Sequence, residues 1–349
     1  MLTALIGFVI LIFICVTVHE YGHYITAKLL GVQVHEFAFG MGPVIKQVKK
    51  NNMLWSWRLI PIGGFCRLAG MDEEEDDEEV IPGMGFNEQP AWKRFFILLN
   101  GALFNIILAL ILSTMFLWLN GVIDTEHAVI GEVLPDLPAM KAGIKTGDEI
   151  LSVNNMKVTK WREMSDKIKS ESIDSENHSV TLEILRDGKI LTLDLVIPFN
   201  EEYGRPMLGV TPANVRYGFL RACKSSAGFI YRVTALSLRG IADLVLRKQE
   251  IEVTGPVGIA SMSGQAIRSG FWGFIMFIAI VSLNLGIFNL FPIPALDGGR
   301  ILFVLLEIIL RRRLPERVEN WIHTAGFVFL ITLIILITFH DIYNIFFTH

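Results

Sequence analysis

His19-Glu20-Tyr21-Gly22-His23 closes an apolar run that begins at Leu2 and carries no charge before Glu20. That run is close to the roughly 20 residues an α-helix needs to cross a bilayer. The five residues therefore sit where ionisable groups are costly and, by default, functional. Positions four apart on a helix share a face, so His19 and His23 can offer two imidazoles to one ion with Glu20 beside it, the spacing of a zinc-protease helix. The alternative is a pair of interhelical hydrogen-bonding histidines, with Glu20 reaching out toward the cytoplasm.

The rest of the chain reads as membrane protein. Of its 349 residues 52% are hydrophobic and only 19% charged, and the mean hydropathy of +0.48 lies far above the balance of a soluble domain. Residues 95–119, 271–291 and 327–347 form three more apolar stretches of spanning length. The first stretch could instead be a signal peptide, but it lacks a basic start and a small-residue cleavage site. A net charge of −4, much of it from the acidic run 72–79, reads as a solvated loop and gives no reason to expect nucleic acid as a partner. Cys15, Cys66 and Cys223 form no CxxC pair, and their odd number argues against a disulfide framework.

Lys46, Lys49, Lys50, Arg58, Arg67, Lys93 and Arg94 lie between the first two stretches, and Arg300, Arg311, Arg312, Arg313 and Arg317 between the last two. Loops rich in Lys and Arg stay cytoplasmic, so both termini and residues 121–270 are expected outside. That outer segment has room for a soluble domain. Val180, Leu182 and Ile184 alternate with polar residues, Asp187-Gly188 supplies a turn, and Leu191, Leu193 and Leu195 alternate back, the pattern of a β-hairpin. Upstream, residues 142–154 read as a turn, an acidic start and a strand. Residues 125–212 resemble the PDZ family, whose members capture an extended peptide on a sheet edge; a generic small β domain is the alternative. The resemblance implies a peptide-carboxylate loop near Leu208, Gly209 and Val210. Residues 217–247 mix Phe219, Tyr231 and Leu238 with Arg221, Lys224 and Arg232, which suits an interfacial amphipathic helix or a helix packed on the outer domain.

Catalytic zinc takes three protein ligands and keeps one position open, so two histidines need a partner. Asp297 is the candidate. It follows Asn289-Leu290-Phe291-Pro292-Ile293-Pro294-Ala295-Leu296 and precedes Gly298-Gly299, where prolines and glycines break the third stretch. Unwound backbone at membrane depth is tolerated only where it is buried in protein or lines a cavity. An ordinary Pro-rich helix end with an exposed Asp is the other reading. A His₂Asp set with an open position favours zinc among the divalent ions.

With these motifs, the inserted domain and four spans, nearly the whole chain resembles the site-2 protease family, specifically the bacterial RseP-type intramembrane zinc metalloproteases. The resemblance implies a polytopic α-helical membrane protein with four transmembrane helices, a membrane-associated β-loop at about residues 54–70 and an extracytoplasmic α+β PDZ-like domain. The protease core would comprise residues 1–121 and 271–349, with 125–212 the PDZ-like domain and 213–270 an amphipathic connection. It implies one Zn²⁺ per chain on His19, His23 and Asp297, with Glu20 catalytic and Asn289 contacting substrate. Gly63, Gly64 and Phe65 match the β-loop, whose free edge pairs with an unwound substrate, and Gly101 and Asn105 fit a small-residue motif that close helix packing would also explain. The implied location is the bacterial cytoplasmic membrane, with the active site toward the cytoplasm. The implied partners are single-span substrates, such as anti-sigma factors or remnant signal peptides, already cut outside by a site-1-type protease. Many relatives carry two PDZ modules, whereas this chain has room for one. A non-proteolytic PDZ scaffold is the competing reading; a metal transporter would need a chain of polar residues across the membrane that the sequence lacks.

Overall fold

A computed structural model describes residues 2–71, 80–174, 179–200, 205–246, 255–313 and 315–347; the acidic run 72–79 lies outside them. In chain order the first elements are α1 (Leu2–Leu29), β1 (Val34–Lys50), β2 (Met53–Leu68) and α2 (Ala91–Met115), which continues as a π-helical turn to Asn120. Next come β3 (Val122–Ile123), β4 (Ile130–Val133), α3 (Pro138–Lys141), β5 (Glu149–Val153), β6 (Met156–Lys157), α4 (Trp161–Asp174), β7 (Ser179–Arg186) and β8 (Lys189–Val196). The short strands β9 (Phe199–Asn200), β10 (Arg205–Pro206), β11 (Val210–Pro212) and β12 (Asn214–Val215) follow. The last elements are α5 (Phe219–Val245), α6 (Pro256–Arg268), α7 (Phe271–Asn289), α8 (Asp297–Leu310) and α9 (Glu316–Phe347). The chain divides into two compact units, residues 117–221 and the remainder.

In the larger unit four helices are long and apolar enough to cross a bilayer: α1, α2 with its π-helical turn, α7, and Arg317–Tyr343 within α9. Hydrophobic burial does little to join helices in lipid, so small residues bring their backbones together. A Cβ on Gly286 of α7 would lie 2.8 Å from the Ala102 carbonyl oxygen of α2, and one on Gly264 of α6 would lie 2.9 Å from Ala4 of α1. Outward faces carry exposed Leu5, Ile111, Phe329 and Leu336, which suits contact with hydrocarbon chains.

The sequence places a β-loop at residues 54–70, but the structure builds a longer antiparallel pair of β1 and β2. The first strand is missed because Gly40, Gly42 and Pro43 interrupt any alternation, and the pairing accommodates them through register shifts. Within the 213–270 connection, α5 and α6 are separate helices, and 247–254 are outside the described residues. Ile230 and Val233 of α5 pack with Ala109, Ala279 and Leu283, and Ser237 donates a hydrogen bond to Asn284 of α7 at 2.8 Å. Buried Asp341 of α9 accepts the Gly255 and Gly258 N–H groups at 3.2 and 2.9 Å, satisfying donors that the start of α6 would otherwise leave orphaned.

The smaller unit is built on a four-stranded sheet in the order β6-β5-β7-β8. Val180, Leu182 and Ile184 join Ile150, Val153 and the α4 residues Met164 and Ile168 in its core. Asp187 and Gly188 both have positive φ, 50° and 77°, as a tight two-residue hairpin turn requires. On the edge strand β8 the alternation is only partly realised: Leu195 is buried, whereas Leu191 is exposed.

Asp148, buried at the start of β5, accepts Arg186 Nε and Nη2 at 2.8 and 2.7 Å and the Lys145 N–H at 2.7 Å. Burial pushes its carboxyl up, but the guanidinium and the backbone donor overcome that and hold it below the ordinary carboxylate range. A carboxylate with a depressed folded pKa contributes stability that is fully present above its unfolded value, near 3.9, and is lost as pH falls through the folded value. Arg186→Ala should therefore destabilise residues 117–221 at neutral pH, since it leaves the Asp148 carboxylate without its guanidinium partner, and move acid unfolding to higher pH. Hydrogen exchange at the Ile150 and Ile184 amides in the full chain reads both effects. Wild-type protection down to pH 4 would refute the assignment.

Candidate metal centre

His19 and His23 lie one helical turn apart in the second half of α1, and both are buried, 8% and 7% exposed. Their Nε2 atoms are 3.2 Å apart. Asp297, the first residue of α8, brings Oδ2 to 3.0 Å from His19 Nε2 and 3.3 Å from His23 Nε2. These three residues form the one His/Cys/Asp/Glu group among the described residues that meets the geometry of a metal site. Three donors about 2.0–2.1 Å from a tetrahedral zinc lie roughly 3.3 Å from one another, so the observed triangle fits that ion. Its chemistry fits as well: Asp297 Oδ2 is buried with no hydrogen-bond donor directed at it among the described residues, and the ring nitrogens face one another.

Neighbouring groups set the histidine tautomers. His23 Nδ1–H donates to the Ile97 carbonyl of α2 at 2.9 Å, which leaves the Nε2 lone pair pointing at the triangle. His19 Nδ1 lies 3.5 Å from the fully buried Asn105 amide. A half-turn of that amide puts its otherwise unpartnered Oδ1 against His19 Nδ1–H, the tautomer that again frees Nε2. Close approach of α1 and α2 makes this possible. A Cβ on Gly22 would lie 2.3 Å from the Asn100 carbonyl oxygen, and one on Gly101 would lie 2.3 Å from His23 Nε2 and 2.9 Å from His19 Cε1. Asp297 is delivered by the break Leu290–Leu296 between α7 and α8, with Gly298 and Gly299 packed against the carbonyls of Phe291 and Ile293.

Glu20 follows His19 directly on α1, and its carboxylate interacts electrostatically with His23, His19 and Asp297. Its Oε2 accepts the Cys66 N–H of β2 at 3.0 Å. Burial first, and the Glu20 carboxylate second, push the Cys66 thiol well above its ordinary range, so it stays a neutral packing group.

The remaining sequence candidates are dispersed. Asn289 ends α7, half-buried, and its amide has no partner among the described residues. Gly63, Gly64 and Phe65 lie in β2, where Gly64 pairs with Phe39 and Phe65 with Ala38. In the smaller unit, the Leu208 side chain is buried in the core and its carbonyl accepts Ala139 N–H at 2.9 Å. The Gly209 carbonyl accepts Leu134 N–H at 2.8 Å, and Val210 pairs with Val133. The Ile97 carbonyl and the Cys66 N–H are backbone groups with no side-chain signature to find. Asn105 carried a signal, as a polar residue inside an apolar stretch, but its service to His19 did not show.

Comparison with known proteins agrees with this chemistry. The profile of peptidase family M50 matches residues 7–333. A Fusobacterium nucleatum protein is 33% identical over 345 residues, covering 97% of this chain and 98% of its own. A Clostridium perfringens protein is 33% identical over 330 residues, covering 94% and 95%, and a Rickettsia conorii protein 31% identical over 360 residues, covering 98% and 99%. All three are named provisionally as zinc metalloproteases. Among solved structures, the PDZ domain of an SdrC-like protein from Listeria monocytogenes is 20% identical with a TM-score of 0.22, covering 26% of this chain and 92% of its own. A two-histidine, one-aspartate triangle that fits zinc, in a chain that matches these relatives end to end, agrees with membership of peptidase family M50, the site-2 proteases: the protein belongs to that family and is a zinc metalloprotease.

Proposed function

We propose that this metalloprotease cleaves the membrane-spanning segments of single-span proteins, among them anti-sigma factors or remnant signal peptides, after a site-1-type protease has made a first cut outside. The observation that carries the reading is the position of His19, His23 and Asp297: two ligands on a helix apolar enough to span the bilayer, the third at a helix break beside it. Zinc held by the three side chains supplies Lewis acidity for the scissile carbonyl and brings the pKa of a water toward neutrality.

The protein residues do the rest. Glu20 takes the proton of the attacking water on its carboxylate and returns it to the leaving amide nitrogen. The Asn289 amide, unpartnered among the described residues, offers an N–H donor to the substrate carbonyl. A spanning helix must unwind before its carbonyls are reachable, and the unwound backbone needs new partners. Residues 36–39 of β1 pair with both 54–57 and 64–67 of β2, which leaves 64–67 at an edge among the described residues, and Cys66 N–H there donates to Glu20. A substrate strand added along Gly63, Gly64 and Phe65 would therefore pass beside the base.

In this reading the chain lies in the bacterial cytoplasmic membrane. The hairpin touches the membrane from the cytoplasmic side, supported by exposed Val44, Ile45, Leu59 and Ile60 beside Lys46 and Arg58. Residues 125–212 form a PDZ-like domain outside, supported by the Ala142-Gly143 to Asp148-x-Ile150 pattern and the described sheet and helix. That domain filters substrates by size, or captures their new chain ends near Leu208, Gly209 and Val210.

The test is cleavage of a single-span reporter with a trimmed outer domain by the purified full chain, with the cut mapped by mass spectrometry. A cut inside the apolar segment is expected, slowed when its Gly or Pro residues are replaced by Leu. Cuts confined to the soluble flanks would overturn the reading. Deleting residues 125–212 should admit untrimmed reporters if the domain filters, and slow trimmed ones if it captures.

A further inference from the structure

The geometry points to His323 of α9 as a positioning residue that fixes the Asp297 ligand through the backbone of Ala295. The inference rests on Asp297 being a zinc ligand, as proposed above. α9 contributes none of the three side chains of the triangle, yet His323 lies in its spanning segment, where a polar ring is retained only for a reason.

That reason lies in the turn preceding Asp297. Leu296 N–H returns to the Ile293 carbonyl at 3.2 Å, closing a four-residue turn with Pro294 second and Ala295 third. Ala295 has φ +74°. Proline second and positive φ third is the type II pattern, whose third position favours glycine. An alanine there is strained and persists only if its surroundings hold it. The N–H of the third residue takes no part in closing such a turn, so it needs an outside acceptor. His323 Nδ1 accepts it at 3.0 Å.

Two contacts hold the acceptor in place. The His323 ring packs edge-on against Phe303 of α8, with centroids 5.4 Å apart. One turn along α9, a Cβ on Gly326 would lie 2.4 Å from Pro294 Cβ, so the helix backbone rests on the turn itself. The face of α9 that carries His323 and Gly326 thus clamps Pro294-Ala295, and two residues later the chain presents Asp297 Oδ2 to the histidines. Ligand placement tolerates about 0.5 Å of error, which a relaxed turn would exceed.

Zinc release from the purified full chain, followed by metal analysis during a chelator challenge, tests the clamp without relying on activity. His323→Ala should release zinc about tenfold faster than wild type, the scale of losing a supporting partner, with kcat reduced and KM little changed. His323→Asn places its Oδ1 where Nδ1 stood and should return release to near the wild-type rate. His323→Gln, whose oxygen reaches the Nε2 position instead, should behave like alanine. Wild-type release by His323→Ala, or equally fast release by the Ala and Asn variants, overturns the inference. Asp297→Ala run alongside separates the two levels: if it loses zinc while His323→Ala holds it normally, only the clamp falls, and if it too keeps zinc normally, the ligand set falls and the clamp with it.

Discussion

Glu20→Gln should reduce cleavage of a single-span reporter by about 10³-fold while leaving zinc content at the wild-type level. The size follows from its role, since a positioned general base contributes roughly 10²–10⁴-fold. Retention of metal follows from geometry, because the group that fits the ion among the described residues is His19, His23 and Asp297, without Glu20. Glutamine is a stringent choice of replacement. It keeps the length of glutamate, and its amide oxygen can still accept the Cys66 N–H that Glu20 accepts at 3.0 Å, so β2 stays in place and only proton transfer is lost. Cleavage and zinc per chain are to be measured on the same preparations. Equal cleavage by both proteins would remove Glu20 from the mechanism, and loss of zinc by the variant would make it a ligand rather than a base.

The pieces of this site differ in how plainly the sequence shows them. His19 and His23 are legible because a helix has a fixed period, and two imidazoles four residues apart inside an uninterrupted apolar run must share a face. Asp297 is legible for the opposite reason: the prolines and glycines from Pro292 to Gly299 forbid a continuous helix where one is otherwise expected. Supporting groups leave weaker marks. His23 is oriented by the Ile97 carbonyl and Glu20 by the Cys66 N–H, and every residue has such backbone groups, so nothing in the residue types singles them out. The strand β1 escapes because Gly40, Gly42 and Pro43 interrupt its apolar residues, and the separate helix α6 because its cap, Asp341, is 83 residues from the Gly258 N–H it accepts. The hairpin β7–β8 is visible throughout, since its alternation and its Asp187-Gly188 turn are both local.

Gly101→Ala should abolish zinc binding and lower cleavage by at least about 10²-fold, although it adds a single methyl group to a helix apolar enough to span a bilayer. Intrinsic preference favours the change, since alanine is better than glycine inside a helix by up to about 1 kcal/mol, so loss of α2 itself is not expected. The damage is positional. The new Cβ would stand 2.3 Å from His23 Nε2 and 2.4 Å from its Cε1, well inside van der Waals contact, and the ring cannot swing aside without breaking the bond from Nδ1 to Ile97. Nor can α2 back away freely, because Gly22 of α1 already lies against Asn100 and Gly101 and Asn105 meets His19 from the same helix. Displacing a catalytic group by about 1 Å can cost 10²-fold in rate. Gly240→Ala on α5, where a Cβ would meet nothing within 4 Å, is the matched control and should keep both zinc and activity. If Gly101→Ala were to behave like that control, α2 could not pack against the imidazoles as described, and small size at position 101 would serve helix packing alone.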